Sequence, residues 1–151
     1  MKATFGAGCF WHVEDLLSKT KGVKSTKVGY IGGQLPNPTY EEVCTDKTGH
    51  AEAVEVEYDP NEISYEELLD VFWKNHNPTT LNRQGPDIGI QYRSVIFYHN
   101  DEQKEIAEKS KQTLEKSRQF ENPIITEIVP TPTFYDAEEY HQKYFKKHGL
   151  S

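Results

Sequence analysis

Cys9 is the residue of this sequence with the clearest potential for chemistry, because it stands where a glycine-rich turn leads into a helix. Gly6-Ala7-Gly8 ends a short apolar stretch, and apolar residues then recur at helical spacing from Phe10 to Leu17. Free N–H groups and the dipole at a helix N-terminus favour a thiolate, the nucleophilic form of cysteine. Position alone supports a small buried hydrophobic residue equally well.

Glu52 is the second candidate, because it lies on the apolar face of a strongly alternating segment. From His50 to Tyr58 the even-numbered residues share one face, and that face is otherwise mostly apolar. A carboxyl group there must be paired, remain in water at the strand end, or be kept neutral by desolvation. A neutral Glu52 could protonate a nearby oxygen as a general acid, while strand twist could equally leave it solvated.

Two aromatic residues, Phe10 and Trp11, directly follow Cys9. Their rings would form an apolar wall suited to a methyl or thioether group. Neighbouring positions face different sides of a helix, so we expect one of the two rings to be exposed. Most aromatic residues simply belong to the core, and Phe10 taken alone fits that role better.

Two loops contribute further polar candidates. Tyr40 follows a Pro-Asn-Pro turn, and Asp87 and Tyr92 flank Gly89 in an irregular segment from Pro78. Irregular segments of this length in a compact domain are often functional, and these hydroxyl and carboxylate groups could converge on a polar substrate atom. Each of these signals is weak by itself.

Three histidines, His50, His76 and His141, could instead pair with Cys9 for acyl transfer or contribute to a metal site. No His-x-x-x-His or Cys-x-x-Cys spacing supports a metal, so we expect none. Each of these histidines is more often a surface or capping residue.

The composition limits the class of protein. The chain has 151 residues and a formal net charge of −7, which disfavours binding to nucleic acid or to anionic membranes. No apolar stretch approaches the roughly 18 residues of a membrane span, and no signal-peptide pattern is found. With only two cysteines, Cys9 and Cys44, a disulfide scaffold is excluded. We expect a monomeric cytoplasmic protein with a single domain over residues 1–151.

The pattern of elements predicts the fold class. Two strands follow each other between residues 23 and 58, so strands and helices alternate only in part. We expect an α+β protein, a two-layer α/β sandwich that is ferredoxin-like, with a mixed sheet and long active-site loops. The predicted elements after the first strand and helix are strands at 23–30, 50–58, 94–99 and 124–129, and helices from Ser64 to before Pro78, from Asn100 onwards, and over 137–148.

Several separated motifs together resemble one enzyme family in order and spacing, over about residues 3 to 145. They are Gly8-Cys9-Phe10-Trp11, Gly29-Tyr30-Ile31-Gly32-Gly33, Pro36-Asn37-Pro38-Thr39-Tyr40, Gly49-His50-Ala51-Glu52-Ala53-Val54, Tyr58-Asp59-Pro60 and Gln91-Tyr92-Arg93-Ser94. The chain resembles the A-type peptide methionine sulfoxide reductases, which repair oxidatively damaged proteins. The resemblance implies reduction of methionine S-sulfoxide, free or in proteins, without a metal or an organic cofactor.

The resemblance also implies roles for the candidate residues. Cys9 would attack the sulfoxide sulfur and become a sulfenic acid, with Glu52 as the proton donor. The substrate would be bound by five further residues: Tyr40 and Tyr92 at the oxygen, Phe10 and Trp11 at the methyl group, and Asp87, which would help to orient it.

Recycling of Cys9 is where the sequence departs from many members of this family. Those members carry additional cysteines in a C-terminal tail, whereas this chain ends at Gly149-Leu150-Ser151. We therefore expect thioredoxin, glutaredoxin or a small thiol to act as the external reductant. Two rival hypotheses remain at this point: a Cys-His hydrolase using Cys9 with His50 or His141, and a non-catalytic module that binds oxidised methionine peptides.

Overall fold

The computed structural model describes residues 1 to 149, so Leu150 and Ser151, which end the cysteine-free tail, lie outside the described residues. In chain order the elements are β1 (Lys2–Gly6), α1 (Phe10–Ser18), β2 (Val23–Ile31), α2 (Tyr40–Val43), β3 (Ala51–Tyr58), α3 (Tyr65–Lys74), β4 (Arg83–Gln84), β5 (Asp87–Ile88), β6 (Val95–Tyr98), α4 (Asp101–Lys116), β7 (Glu127–Pro130), β8 (Tyr135–Asp136) and α5 (Tyr144–Lys147).

The main sheet has six strands in the order β7-β6-β1-β3-β2-β8. Neighbouring strands are antiparallel except β6 and β7, which run parallel, so the predicted mixed sheet is confirmed. The expected pairing of two consecutive strands is confirmed as well, since β2 and β3 are antiparallel neighbours. The narrower ferredoxin-like assignment stays a prediction.

The largest core cluster lies between one face of this sheet and the helices α1, α3 and α4. Alternate residues of the strands, such as Phe5 and Val54, pack there against Leu17 of α1, Leu68 of α3 and Ala107 of α4. The capping box of Ser64 and Glu67 starts α3 as predicted. A smaller apolar cluster that includes Ala51, Ala53 and Phe97 covers the opposite face. Because β3 is central, its first four residues, 51 to 54, are buried on both faces.

Two long connections lie at the end of the sheet where β3 starts. Residues 32–50 join β2 to β3 and contain the short helix α2, while residues 75–94 contain the β4–β5 hairpin. The two connections contact each other directly, because Asp46 accepts a hydrogen bond from the Ile90 N–H at 2.9 Å. They are the ordered loops that the sequence predicted.

The end of the chain is where the predicted elements are wrong. The helix expected over 137–148 is replaced by a 3-10 turn at Glu139–His141 and the four-residue helix α5. Lys143 has a left-handed backbone with φ 52°, and the Gln142 side chain bonds both the N–H and the C=O of Val28. These long-range contacts outweigh local helix formation. The strand expected at 124–129 begins only at Glu127.

Candidate active site

Cys9 occupies the N-cap position of α1 and is partly buried. Its side chain makes no capping hydrogen bond, but the backbone N–H groups of Trp11 and His12, two of the unpaired donors in the first turn of the helix, act on the thiol by lowering its pKa. Gly8, directly before it, has φ 86° and packs closely on the Gln84 side chain of the β4–β5 hairpin. The glycine-rich turn therefore places Cys9 between the start of α1 and the second long loop.

The protonation state of Cys9 differs from the sequence-based expectation. Burial raises the pKa of the thiol to about 12 from an ordinary 9.0, and the Trp11 N–H lowers it only in part. The carboxyl groups of Glu52 and Asp87 raise it further. The expected resting thiolate is thus wrong, because loss of solvent outweighs the helix N-terminus.

Glu52 is the second residue of β3 and its side chain points to the helix-covered face, where it is 1% exposed. This burial excludes the alternative of a solvated carboxylate at the strand end. One oxygen, Oε1, accepts a hydrogen bond from the Phe10 N–H at 3.2 Å. The other oxygen, Oε2, is buried and has no hydrogen-bond partner among the described residues. A buried polar atom without a partner is costly, so it marks a position at which a ligand can bond.

Burial also sets the protonation of Glu52. Desolvation raises the pKa of its carboxyl group to about 8, although the Phe10 N–H lowers it and the Asp87 charge raises it further. At neutral pH the group is therefore mostly protonated. It can donate a proton to an oxygen atom placed at Oε2.

Tyr40, Asp87 and Tyr92 lie on the two long loops, and each of them interacts electrostatically with this carboxyl group. Burial raises the pKa of Tyr92 to about 12, and the charges of Glu52, Asp87 and Cys9 contribute to the same shift. Burial likewise raises the pKa of Tyr40, whose hydroxyl group hydrogen-bonds with the Cys44 thiol. Both phenols keep their protons at neutral pH and can act as hydrogen-bond donors.

Of the two rings that follow Cys9, the Phe10 ring is buried, whereas the Trp11 ring is only partly exposed and not fully exposed as expected. Phe10 is 1% exposed and packs between the rings of Tyr30 and His141. Trp11 is half-buried, stacks on Tyr144 at 3.7 Å between ring centroids, and donates from Nε1 to Nδ1 of His141 at 3.0 Å. The indole is therefore held from two sides by the C-terminal segment.

Sequence reasoning missed two residues of that segment, Glu138 and His141, as support for the site. Glu138 accepts hydrogen bonds from the Tyr30 hydroxyl at 2.8 Å and from the Tyr40 N–H at 3.0 Å. The His141 ring lies 4.5 Å from the ring of Tyr40. No local signal marks either residue, because their partners lie 98 or more positions away.

The histidines do not form a pair with Cys9. His50 accepts the Gly33 N–H on Nδ1 and donates from Nε2 to the Leu35 carbonyl, so both ring nitrogens serve the loop after β2. His141 uses Nδ1 for Trp11, and its Nε2 is buried without a partner in the described part of the chain. The Cys-His hydrolase hypothesis therefore has no support from the hydrogen bonds of these two rings.

Within residues 1 to 149, no group of three or more His, Cys, Asp or Glu side chains is arranged to hold a metal ion. Over the same residues, no helix is both long enough and apolar enough to cross a membrane.

Comparison with known proteins identifies the chain's relatives. The family model described as peptide methionine sulfoxide reductase matches residues 1–150. The peptide methionine sulfoxide reductase MsrA of Methanothermobacter thermautotrophicus is 64% identical over 146 residues, which cover 97% of this chain and 86% of that protein.

Solved structures agree with that match. The reduced form of Mxr1 from Saccharomyces cerevisiae superposes with a TM-score of 0.93 at 39% identity, covering 100% of this chain and 87% of that one. A second structure, of Mxr1 in complex with Trx2, is also similar, with a TM-score of 0.68 and 31% identity over 95% of this chain and 84% of that one.

The raised pKa of Glu52 should make stability depend on pH. The carboxyl group has an ordinary pKa of 4.5 in the unfolded chain and about 8 when folded. The contribution of Glu52 to the free energy of unfolding is therefore fully present below the unfolded pKa. It is lost as the pH rises through the folded pKa. We expect Glu52→Gln, which cannot ionise, to gain stability relative to the unmodified protein between about pH 5 and about pH 9 in urea unfolding. Parallel pH curves for the two proteins would contradict this.

Proposed function

The chain belongs to the A-type peptide methionine sulfoxide reductases, and we propose that Cys9 and Glu52 carry its chemistry, the reduction of methionine S-sulfoxide to methionine. The observation that supports this assignment best is the buried, mostly protonated Glu52, whose Oε2 has no partner among the described residues. A sulfoxide oxygen is a strong hydrogen-bond acceptor, and it would complete the bonding of this carboxyl group.

The proposed binding mode uses the remaining candidates. The sulfoxide oxygen lies between Glu52 and the hydroxyl groups of Tyr40 and Tyr92, which remain protonated and can donate. The methyl group lies against the apolar wall that begins with Phe10 and Trp11. Asp87 helps to orient the rest of the substrate.

The proposed reaction transfers the oxygen from one sulfur to another. Glu52 protonates the sulfoxide oxygen, which makes the sulfoxide sulfur electrophilic, and Cys9 attacks that sulfur as its own proton leaves. The sulfur–oxygen bond of the substrate breaks, and the protonated oxygen forms a bond with the Cys9 sulfur. The bond between the two sulfurs breaks with its electron pair going to methionine, which departs and leaves Cys9 as a sulfenic acid. The thiol proton restores Glu52, so the step consumes no proton from solvent and needs no cofactor.

Recycling is proposed to depend on an external thiol. A thiol attacks the Cys9 sulfenic acid, releases water and forms a mixed disulfide, which a second thiol then reduces. The complex of the similar protein Mxr1 with Trx2 supports a thioredoxin-type reductant, and glutaredoxin or a small thiol could act in the same way. We propose a monomeric, single-domain repair enzyme of the cytoplasm, where such reductants keep cysteines reduced.

Cys9→Ser should abolish sulfoxide reduction and leave the fold intact, because an alcohol is a far poorer nucleophile than a thiolate. Cys44→Ser is the matched control, and it should retain turnover. The measurement is methionine release from the sulfoxide with dithiothreitol as reductant. Substantial turnover by the Cys9 variant would show that another residue is the nucleophile.

Glu52→Ala should slow the reduction step by on the order of a hundredfold or more, the scale for loss of a positioned proton donor. Glu52→Gln should retain more activity, since its amide still donates a hydrogen bond to the oxygen. Single-turnover rates by rapid quench measure this step directly. Equal and small losses in both variants are incompatible with a general acid at this position.

Without an external thiol the enzyme should complete one turnover and stop with Cys9 as a sulfenic acid. The only other thiol in the chain, Cys44, is hydrogen-bonded with the Tyr40 hydroxyl and is not expected to resolve it. Dimedone trapping followed by intact-mass analysis should therefore label Cys9. A dimedone-resistant product that is lighter by two hydrogens, and absent in Cys44→Ser, would instead identify an internal disulfide.

A further inference from the structure

The side chain of Glu138 connects three separate parts of the active-site region. Its Oε1 accepts from the hydroxyl of Tyr30 on β2 at 2.8 Å, and its Oε2 accepts from the backbone N–H of Tyr40 on α2 at 3.0 Å. Glu138 itself belongs to the segment between β8 and α5. Each carboxylate oxygen thus holds a group from a different element.

The contact with Tyr40 anchors the beginning of α2. The other hydrogen bonds of this four-residue helix are local, since Thr39 and Glu42 cap it reciprocally and the Cys44 N–H donates to the Tyr40 carbonyl. Such local bonds shape α2, and the buried Val43 at its end packs in the main core cluster, so the Glu138 contact is the polar anchor of its first residue. Its far end is anchored separately, through Asp46 to Ile90.

The contact between Glu138 and Tyr30 connects the anchored start of α2 to the strand that carries Glu52. Tyr30 and Glu52 are directly paired across the β2–β3 ladder, and both side chains are almost completely buried. Glu138 therefore ties the backbone of Tyr40 to the strand neighbour of Glu52. The distance between the Tyr40 hydroxyl and the Glu52 carboxyl consequently depends on the reach of the Glu138 side chain.

We propose that Glu138 is a positioning residue for sulfoxide reduction, which holds Tyr40 where its hydroxyl can share the sulfoxide oxygen with Glu52. This proposal rests on the proposed role of Tyr40 at that oxygen. A misplacement of about 1 Å at such a donor can cost up to a hundredfold in rate. Glu138 does not itself touch the substrate in this scheme.

Glu138 is suited to this role as an ionised carboxylate. Partial burial raises its pKa, but the N–H of Tyr40, the Tyr30 hydroxyl and the His141 ring lower it, so that the balance lies below the ordinary value. Hydrogen bonds to an ionised acceptor are shorter and stronger than those between neutral groups. The carboxylate thus restrains both tyrosines more tightly than a neutral acceptor would.

Two conservative variants separate the reach of this side chain from its charge. Glu138→Asp keeps the charge but is one methylene shorter, so it cannot contact both tyrosines. Glu138→Gln keeps the reach, because its carbonyl can accept from the Tyr40 N–H while its amide donates to the Tyr30 hydroxyl. The matched control is Glu139→Asp at the neighbouring side chain, which is 89% exposed.

Single-turnover reduction of free methionine sulfoxide should fall by about tenfold in Glu138→Asp and by no more than about threefold in Glu138→Gln. Glu139→Asp should match the unmodified enzyme. Thermal unfolding of each variant shows whether it is folded at the assay temperature, so that the rates of folded proteins are compared. If the single-turnover rate fell more in Glu138→Gln than in Glu138→Asp, or equally in both, the proposal that the length of the Glu138 side chain positions Tyr40 would be overturned.

Tyr40→Phe completes a double-mutant cycle. If Glu138 acts through the Tyr40 hydroxyl, Glu138→Asp should cost no more than about twofold in the Tyr40→Phe background. The same tenfold loss in both backgrounds would show a general structural effect and overturn the proposal. Failure of the underlying assignment is distinguishable, because Tyr40→Phe alone would then reduce the sulfoxide at the unmodified rate.

Discussion

The desolvated carboxyl group of Glu52 is the constraint on which the rest of the active site depends. An ionised carboxylate at this depth would need a cation or several donors, and the contact that the structure gives it is one N–H, from Phe10. It costs less to keep the Glu52 carboxyl group protonated and neutral, and this requires that water is excluded from it. The central position of β3 meets this requirement, because its neighbours β1 and β2 shield it on both sides.

The same contact links the proposed proton donor, Glu52, to the proposed nucleophile, Cys9. Phe10 is the first residue of α1, so its bond to Glu52 fixes the start of the helix against β3. Cys9 precedes it as the N-cap, and the next free N–H groups of the same turn lower the pKa of its thiol. One short peptide therefore sets both the position of the thiol and the environment of the acid.

Local patterns marked these two residues as candidates and predicted most of the elements around them, while the roles of the two residues were assigned from the family resemblance. Strand alternation placed Glu52 on the covered face, and the turn before α1 marked Cys9. The end of the chain was not predictable in this way, because Glu138 and His141 bond to groups about a hundred positions away. The resting state of Cys9 was missed for a related reason, since helix position is visible in a sequence and depth of burial is not.

Two neutral acids form a coherent starting state for the proposed chemistry. Cys9 and Glu52 both have pKa values raised by burial, so at neutral pH both groups mostly hold their protons. A resting thiolate beside the carboxyl group would instead add negative charge close to Asp87. In the proposed reaction the sulfoxide oxygen accepts the proton of Glu52, so Cys9 attacks only once the substrate is bound. The burial that suppresses the free thiolate thus also limits reactions of Cys9 with other electrophiles.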